Sequence, residues 1–432
     1  MTDKSELRRG SIRSSQYLKR FRVKEMSTPF YLYDGDSATS VLGDLLMLLK
    51  DCIPRHSATV YLPVFANPCL PLLDVLVSAC PDVGLLVNSI PELAAARAFK
   101  WKRRPVMAFA GGILSEEQAI RVVREADVYY AASVRNLKVA LAVENARAKS
   151  GLRIDLSDSG ELRGIPAHEV RAFFSTRPEI AAHVENIHAY QGPNSPDFDT
   201  SLAYGEALVE HCSLFPKLKE INFSGGWPYD YKRGASVMPS HDDSLCSYLE
   251  NLNRIVTSHG SEAVQCIAFE PGKYLLANHG YFFCRIIECQ DTGTRQADIH
   301  VDASFVNLPS LKMKNRQQAV TVLQESWIPR TGPTLLCRLH GASGLSTDFL
   351  MPGRVALPAP RAGDLIVIHD LGVYGWAGSY NFLGFQKPAE YLAASNAVRK
   401  VRERQSESHL LHDLLGQADC VADAHPTAER ET

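Results

Sequence analysis

The sequence lacks any run of apolar residues long enough to span a bilayer, and its first 24 residues are polar and basic. It also lacks an excess of charge of either sign. Its 46 Lys and Arg residues stand against 48 Asp and Glu residues, for a formal net charge of -2. Such a balance gives no basis for binding nucleic acid or an anionic membrane surface. We therefore expect a cytoplasmic protein that has neither a nucleic acid nor a membrane as its partner.

Cysteine pairs at metal-binding or redox spacing are also missing. The ten cysteines are scattered along the chain, none of them forms a CxxC pair, and several lie inside apolar runs. This usage is typical of reduced cysteines in the core of a cytoplasmic protein. The sequence therefore predicts no metal site and no disulfide framework.

The length of the chain and the alternation of its strand and helix patterns predict its architecture. The 432 residues are 45% hydrophobic and 22% charged, which is typical of a globular protein of two or three domains. Over residues 37–275, short apolar runs alternate about eight times with segments of helical spacing. This pattern predicts a (β/α)8 barrel whose ligand site lies on the loops that follow the strands. A doubly wound open sheet is the structural alternative.

The remaining segments differ from the barrel in their pattern of apolar and polar residues. Residues 1–26 are predicted to form a flexible arm, and residues 27–36 a strand that joins the second domain. Residues 276–397 contain β-type runs with turns between them, which predict a mostly β domain. Residues 398–432 are predicted to be a charged helix followed by a disordered tail.

One stretch combines features of a phosphate site. A pattern typical of a buried strand over residues 265–269 ends at Glu270, and Pro271, Gly272 and Lys273 follow. An acid at the carboxyl end of such a strand faces the usual ligand position of an α/β fold. The Pro-Gly pair frees backbone N–H groups and the lysine adds a cation, which together suit a phosphate. Taken alone, the stretch is equally consistent with an ordinary strand end and turn.

Several motifs follow one another in the order found in the fold-type III pyridoxal-phosphate decarboxylases, which include the ornithine, arginine and diaminopimelate decarboxylases. Residues 28–34 resemble the opening strand of that family, residues 224–226 its glycine loop, and Glu270 its pyridine-binding acid. No single motif is specific, and the resemblance rests on their order and spacing from about residue 28 to residue 395. The resemblance implies a cofactor site for pyridoxal phosphate formed by Tyr190, Ser224, Gly225, Gly226, Glu270, Gly272, Lys273 and Tyr374.

The same resemblance implies roles for individual residues. In the family, the acid that matches Glu270 hydrogen-bonds the pyridine nitrogen and keeps the ring protonated, which makes the ring an electron sink. The tyrosine that matches Tyr374 reaches the cofactor phosphate, and Asp302 and Asp348 stand at substrate-binding positions. The resemblance also implies a head-to-tail homodimer with its two sites at the interface.

The sequence also departs from the family pattern. Phe65 stands where the family has the lysine that forms the Schiff base, and a phenyl ring cannot form that bond. Gly344 replaces the cysteine that handles proton transfer after decarboxylation in the family, and Leu345 replaces the acid that binds the substrate amine. Leu114 stands at another lysine position. Tyr190 stands at the ring-stacking histidine, a milder change because tyrosine still stacks on a ring.

Two hypotheses follow from these matches and departures. The first is a protein that acts on an amino acid or a related amine with non-covalently bound pyridoxal phosphate. The second is a non-catalytic homologue that binds a ligand, or that completes a related decarboxylase as a hetero-dimer. A different reaction in the same barrel, without pyridoxal phosphate, ranks behind both.

Each candidate residue also has an ordinary structural interpretation when it is taken alone. Glu270 is then a buried acid paired with an arginine. Tyr190 and Tyr374 are then core aromatics. Asp302 is a turn residue at a strand end, and His188 is a satisfied core histidine. The sequence leaves these alternatives open.

Overall fold

The computed structural model of the protein describes residues 26–157, 164–231, 238–260, 262–313 and 318–415. The predicted arm, except for its last residue, and the predicted tail beyond residue 415 lie outside these ranges. The described chain forms a parallel barrel and a second, mostly β domain, which confirms the predicted fold class. None of the helices in these ranges is both long and apolar enough to cross a membrane.

Eight parallel strands form the barrel. The first described strand of the chain, β1 (Phe30–Asp34), belongs to the second domain instead. The strands of the barrel region are β2 (Ser57–Pro63), β3 (Val83–Val87), β4 (Met107–Phe109), β5 (Val128–Ala131), β6 (Lys149–Asp155), β7 (Ile165–Pro166), β8 (Asn186–Ala189), β9 (Glu220–Asn222) and β10 (Cys266–Phe269). The barrel closes because β10 pairs with β2 and β5 pairs with β6, while the short β7 pairs only with β6.

A ring of helices surrounds the barrel. The helix Gly35–Cys52 packs against the first and the last of the helices that follow barrel strands, and so completes the ring. Local sequence sets where these helices begin: Ser115 and Gln118, for example, form a capping box at one of them. The helices that follow barrel strands are Leu70–Ala79, Ile90–Ala98, Glu116–Glu125, Val134–Ala142, Ala167–Ser175, Phe198–Val209 and Asp243–His259.

Alternate side chains of the barrel strands point to opposite sides of the barrel wall. On β5, Tyr129 packs in the outer core between strands and helices, whereas Tyr130 packs in the barrel interior cluster. This cluster consists of Tyr61, Leu86, Ala108, Ala110, Val128, Tyr130 and Ala268. Two phenol groups therefore lie among apolar side chains inside the barrel.

The second domain is built on a mixed sheet. Its strands are β11 (Gly280–Gly293), β12 (Gln296–Val301), β13 (Val320–Leu323), β14 (Thr334–His340), β15 (Val355–Pro358), β16 (Leu365–Ile368), β17 (Ala389–Ala394) and β18 (Ala397–Arg402). The main strand order is β15-β14-β12-β11-β1-β17-β18, and β16 pairs with β11 and β13. Because β1 lies between β11 and β17, the start of the described chain is fixed in the middle of this sheet. Four short or late helices are Pro178–Ala181, Gly272–Leu276, Pro309–Met313 and Glu407–Leu415.

The prediction of a charged helix that starts at residue 398 is wrong. Ala397–Arg402 form β18, which pairs antiparallel with β17, and the helix begins only at Glu407. Ser395 and Asn396 connect the two strands with φ angles of 52° and 60°, as both central residues of a type I′ hairpin require. The charges that suggested a helix lie on an edge strand, where Lys and Arg side chains discourage pairing with another chain.

The first prediction concerns the buried carboxyl that fixes this hairpin. Glu390 on β17 is 0% exposed, accepts a hydrogen bond from Tyr33 at 2.6 Å and forms an ion pair with Arg402 on β18. We expect Arg402→Met to lower the free energy of unfolding by about 3 kcal/mol, because it leaves a buried acid without its cation. Urea unfolding followed by circular dichroism measures this change.

Arg399 offers a matched control on the same strand, since its side chain is exposed. Arg399→Met should change the free energy of unfolding by less than about 0.5 kcal/mol. Equal losses in the two variants would contradict the role assigned to the Glu390–Arg402 pair.

Candidate functional site

The site is centred on Glu270, which follows β10 and is only 8% exposed. Glu270 Oε2 accepts a hydrogen bond from Ser224 Oγ at 2.7 Å, and Oε1 accepts one from Asn222 Nδ2 at 2.8 Å. His188 Nε2 lies 3.2 Å from Oε1. Burial alone raises the pKa of a carboxyl, but the nearby His188 and the two donors outweigh it and hold the pKa of Glu270 below its usual value.

His188 is the basic side chain beside this carboxylate. Burial holds the pKa of His188 below its usual value despite the attraction of Glu270. No lysine or arginine in the described part of the chain forms an ion pair with Glu270. The ordinary interpretation of Glu270 as an acid paired with an arginine therefore does not apply. A buried carboxylate in this state attracts a cationic N–H group.

The loop after β9 forms a second feature of the site. The carbonyl oxygens of residues 224–226 accept hydrogen bonds from Glu270 N at 2.7 Å, Gln191 Nε2 at 3.0 Å and Ser195 N at 2.6 Å. Because each peptide group is planar, the N–H groups of Gly225, Gly226 and Trp227 point away from these partners. Within the described ranges, none of the three donates to a protein acceptor. Such a run of N–H groups makes a concavity of the kind that binds phosphate.

Glycine is required at both central positions of this loop. A Cβ atom on Gly225 would lie 2.1 Å from the carbonyl oxygen of Glu270, and one on Gly226 would lie 2.1 Å from that of Gly192. Gly226 also has a φ of 80°, and Ser224 adopts the left-handed region at 57°. The close approach of the loop to Glu270 places the phosphate-type concavity beside the buried acid.

Three further predicted residues lie around this centre. Lys273 is 8% exposed, and its Nζ donates to Asn194 Oδ1 at 3.1 Å. Tyr374 has a φ of 58°, and its N–H donates to the Ala66 carbonyl at 2.8 Å. Burial raises the pKa of Tyr190, and the phenol of Tyr374 raises it further.

Phe65 lies at the point where the barrel and the Tyr374 segment meet. Its half-buried ring packs against the barrel interior cluster and against the outer core. The neighbouring Asn67 donates from Nδ2 to the Gly372 carbonyl at 2.7 Å, and Gly272 is packed against Pro63. The segment that carries Phe65 therefore contacts both Gly272 and the segment before Tyr374, and its phenyl ring offers no amine. That Phe65 occupies the place of the family's lysine stays a prediction.

The two predicted substrate residues lie in the second domain. Asp302 accepts hydrogen bonds from the Thr28 hydroxyl and from Arg285 N. Asp348 is 3% exposed and accepts from Phe305 N at 2.8 Å and Ser343 N at 2.9 Å. Both carboxylates hold backbone segments in place, and no hydrogen bond in the described chain joins either of them to the Glu270 cluster. Their contact with a substrate stays a prediction.

The loop of residues 341–348 carries two of the positions at which the sequence was interpreted as departing from the family pattern. A Cβ atom on Gly344 would meet no other atom within 4 Å, and Leu345 is 39% exposed. The loop therefore presents open space and an apolar side chain at the two positions where, by the resemblance, the family has a thiol and an acid.

Sequence reasoning missed several residues of the site. Arg153 lies with its guanidinium carbon 5.6 Å from the centre of the Tyr190 ring, and its Nη1 donates to the Ala110 carbonyl at 3.2 Å. Burial lowers the pKa of Arg153, although Glu270 opposes this shift. A charged residue inside the apolar run of β6 was the available signal. Asn222 and Tyr130 gave no comparable signal, because their roles depend on strands far apart in sequence.

No group of three or more His, Cys, Asp or Glu side chains within the described residues is placed to hold a metal ion. The polar groups at the barrel mouth are instead a carboxylate, hydroxyl and amide donors, the basic side chains of Lys273 and Arg153, and backbone N–H groups. This set suits an organic ligand with an anionic group and a protonated ring nitrogen.

A (β/α)8 barrel with this mouth, followed by a mixed β domain, is the architecture of the fold-type III pyridoxal-phosphate decarboxylases, and the chain is a homologue of these enzymes. It is 24% identical over 407 residues to diaminopimelate decarboxylase from Campylobacter jejuni. The alignment covers 89% of this chain and 95% of that protein. A scan against protein-family models finds no match.

Solved structures match the fold. Diaminopimelate decarboxylase from Helicobacter pylori, complexed with L-lysine, superposes with a TM-score of 0.74 at 18% identity, covering 90% of this chain and 98% of that one. Lysine/ornithine decarboxylase from Vibrio vulnificus, complexed with putrescine, superposes with a TM-score of 0.72 at 14% identity, covering 90% and 99%. The predicted resemblance to the family is thereby confirmed.

Proposed function

We propose that this protein binds pyridoxal 5′-phosphate without a covalent bond and acts through it on an amino acid or a related amine. One observation carries the proposal. The ionised Glu270 and the N–H concavity of residues 224–227 lie side by side at the barrel mouth. The first complements a protonated pyridine nitrogen and the second a phosphate, and pyridoxal phosphate carries both groups on one rigid ring.

The chain's own residues have distinct tasks in this proposal. Glu270 accepts the hydrogen bond of the pyridine N–H, and Ser224 and Asn222 keep its carboxylate in place. A carboxylate has about four lone-pair sites, so these two donors leave room for the ring nitrogen. The N–H groups of the loop, with Lys273 and Tyr374 nearby, bind the phosphate. When bound, pyridoxal phosphate supplies the electron sink for chemistry at the carbon beside the amine.

Phe65 changes how a ligand is held. Without a lysine amine, only polar contacts and the ring surfaces of Phe65 and Tyr190 retain the cofactor, and we expect binding to be reversible and readily lost on dilution. An incoming amine also has no lysine to displace. Structures of homologous decarboxylases contain L-lysine or putrescine, which supports an amino acid or amine as the second ligand.

The second prediction tests cofactor binding directly. Titration of the purified protein with pyridoxal phosphate should give a saturable visible absorption change, recorded with and without candidate amino acids. Glu270→Gln should weaken binding about tenfold or more, because the neutral amide no longer favours the protonated ring. Glu325→Gln is the matched control, since Glu325 is 81% exposed on the second domain. The proposal fails if the wild-type protein binds no chromophore under any of these conditions.

The third prediction concerns the missing covalent anchor. In the Phe65→Lys variant, we expect borohydride treatment to fix pyridoxal phosphate to the new lysine, because an amine at this position faces the same site. Mass spectrometry of a peptide digest locates the adduct. Ile113→Lys is the control, because Ile113 is 70% exposed and a lysine there reports non-specific labelling. Equal labelling of the two variants would show that residue 65 does not face the cofactor site.

A second candidate function is a non-catalytic homologue that works through its partners. Gly344 and Leu345 provide neither a thiol nor an acid at these two positions of the loop of residues 341–348. Beside the neighbouring Phe305 lies an apolar patch formed by Tyr380, Phe382 and Leu383, which are 40%, 48% and 52% exposed. A patch of this kind favours an interface with a second copy of the chain or with a related decarboxylase subunit.

The fourth prediction follows from this apolar patch. The protein should sediment as a homodimer, and Phe382→Asp should shift it to the monomer, because a charge at the centre of an apolar interface is not matched by the partner. Met47→Asp is the control, since Met47 is 62% exposed on a barrel helix. A wild-type monomer at micromolar concentration, or a dimer unaffected by Phe382→Asp, would contradict this use of the patch.

A further inference from the structure

A row of buried polar side chains continues from Glu270 into the barrel and ends at a second carboxyl, that of Glu220 on β9. Asn222 Nδ2 donates to Glu270 Oε1 at 2.8 Å and to the Tyr130 hydroxyl at 3.0 Å. The Tyr130 hydroxyl donates to Glu220 Oε1, and the Tyr61 hydroxyl donates to Oε2 at 3.1 Å. The proposed function assigns no task to Tyr61, Tyr130 or Glu220.

The directions of these hydrogen bonds are fixed by the backbone. Ser224 N donates to Asn222 Oδ1 at 2.7 Å, so the amide of Asn222 has one orientation and both Nδ2 hydrogens point into the row. One hydrogen is given to Glu270 and the other to Tyr130. The Tyr130 oxygen is thus an acceptor from Asn222, and its own proton is directed at Glu220. A change at Glu220 therefore reaches Glu270 through two side chains.

The row contains two carboxyls but favours one negative charge. Glu220 and Glu270 are each 8% exposed, and two buried carboxylates in one network repel each other. Only Glu270 also has a serine hydroxyl and an imidazole beside it. Burial raises the pKa of Glu220, although the two phenols oppose this shift, whereas the pKa of Glu270 is held low. The additional donors at Glu270 and these opposite directions favour the charge of the pair on Glu270 and the proton on Glu220.

We propose that Tyr130 and Glu220 are positioning residues that act through Asn222 to keep the Glu270 carboxylate ionised and in one orientation. This inference rests on the proposed function, because the ring nitrogen of pyridoxal phosphate is the group that such a carboxylate serves. Neither residue touches the ligand in this arrangement. Their effect is confined to the strength of the contact between Glu270 and the ring nitrogen.

The test compares two ligands, pyridoxal 5′-phosphate and its 1-deaza analogue, in which carbon replaces the ring nitrogen. The wild-type protein should bind pyridoxal phosphate about tenfold or more tightly than the analogue, as expected for a hydrogen bond to a charged group. Tyr130→Phe should reduce this ratio about threefold or more and leave the affinity for the analogue unchanged. A purely structural role would weaken both ligands equally, and that result would overturn the proposal.

Tyr129→Phe is the matched control. Tyr129 is the adjacent residue on β5, it is 1% exposed, and its hydroxyl has no hydrogen-bond partner among the described residues. The ligand ratio should stay at the wild-type value in this variant. Glu220→Gln should also stay close to that value, because a neutral amide resembles the protonated acid, whereas Glu220→Leu should reduce the ratio as Tyr130→Phe does. The proposal would also be overturned if Tyr129→Phe reduced the ratio of the two ligand affinities as much as Tyr130→Phe does.

An infrared measurement on the ligand-free protein separates this inference from the proposed function. The spectrum should contain the C=O band of a protonated, buried carboxyl. It is recorded above the pKa of Asp370, which burial raises to about 6. Glu220→Gln should remove the band and Glu270→Gln should retain it. If pyridoxal phosphate does not bind, the proposed function fails while the infrared result still places the proton. A band lost only in Glu270→Gln would overturn the inference.

Discussion

A buried negative charge at Glu270 is the constraint on which the barrel mouth depends. A carboxylate this far from water needs several hydrogen-bond donors to remain ionised. Ser224 and Asn222 supply them, and the backbone of Glu270 in turn binds the Ser224 carbonyl. The glycine loop is therefore shaped by the same contacts that hold the acid. Charge, loop and ligand concavity form one unit and do not depend on residue 65.

The sequence was sufficient for the architecture because the barrel follows from short-range patterns. Each buried strand is a brief apolar run and each helix has its own start signal, such as Ser115, so their alternation can be counted. β18 was missed for a different reason. The charges of Ala397–Arg402 were interpreted without their hairpin partner, and only the left-handed turn at Ser395 and Asn396 reveals the pairing.

The site was predictable only in part, because motifs record neighbours in sequence and not neighbours in space. Glu270 and the residues of the glycine loop stand in recognisable order, and the structure places them together. Tyr130 and Asn222 come from different strands and become partners only when the barrel closes. Asp302 and Asp348 show the opposite case. Each fits a family position, yet their observed contacts are with backbone N–H groups or a hydroxyl of the second domain.

The retained and the lost features of the site differ in their energetic cost. An ionised buried acid, a serine and a tyrosine in left-handed backbone conformations, and N–H groups without a protein acceptor all oppose folding. Phe65 has no such cost, since its ring packs against the apolar barrel interior. If this pocket had only a packing role, the protein would gain stability by replacing the buried acid, the left-handed residues and the N–H groups that lack a protein acceptor. Their presence together at one barrel mouth favours a site that binds an anionic, ring-containing ligand, and Phe65 contributes an aromatic surface and no amine.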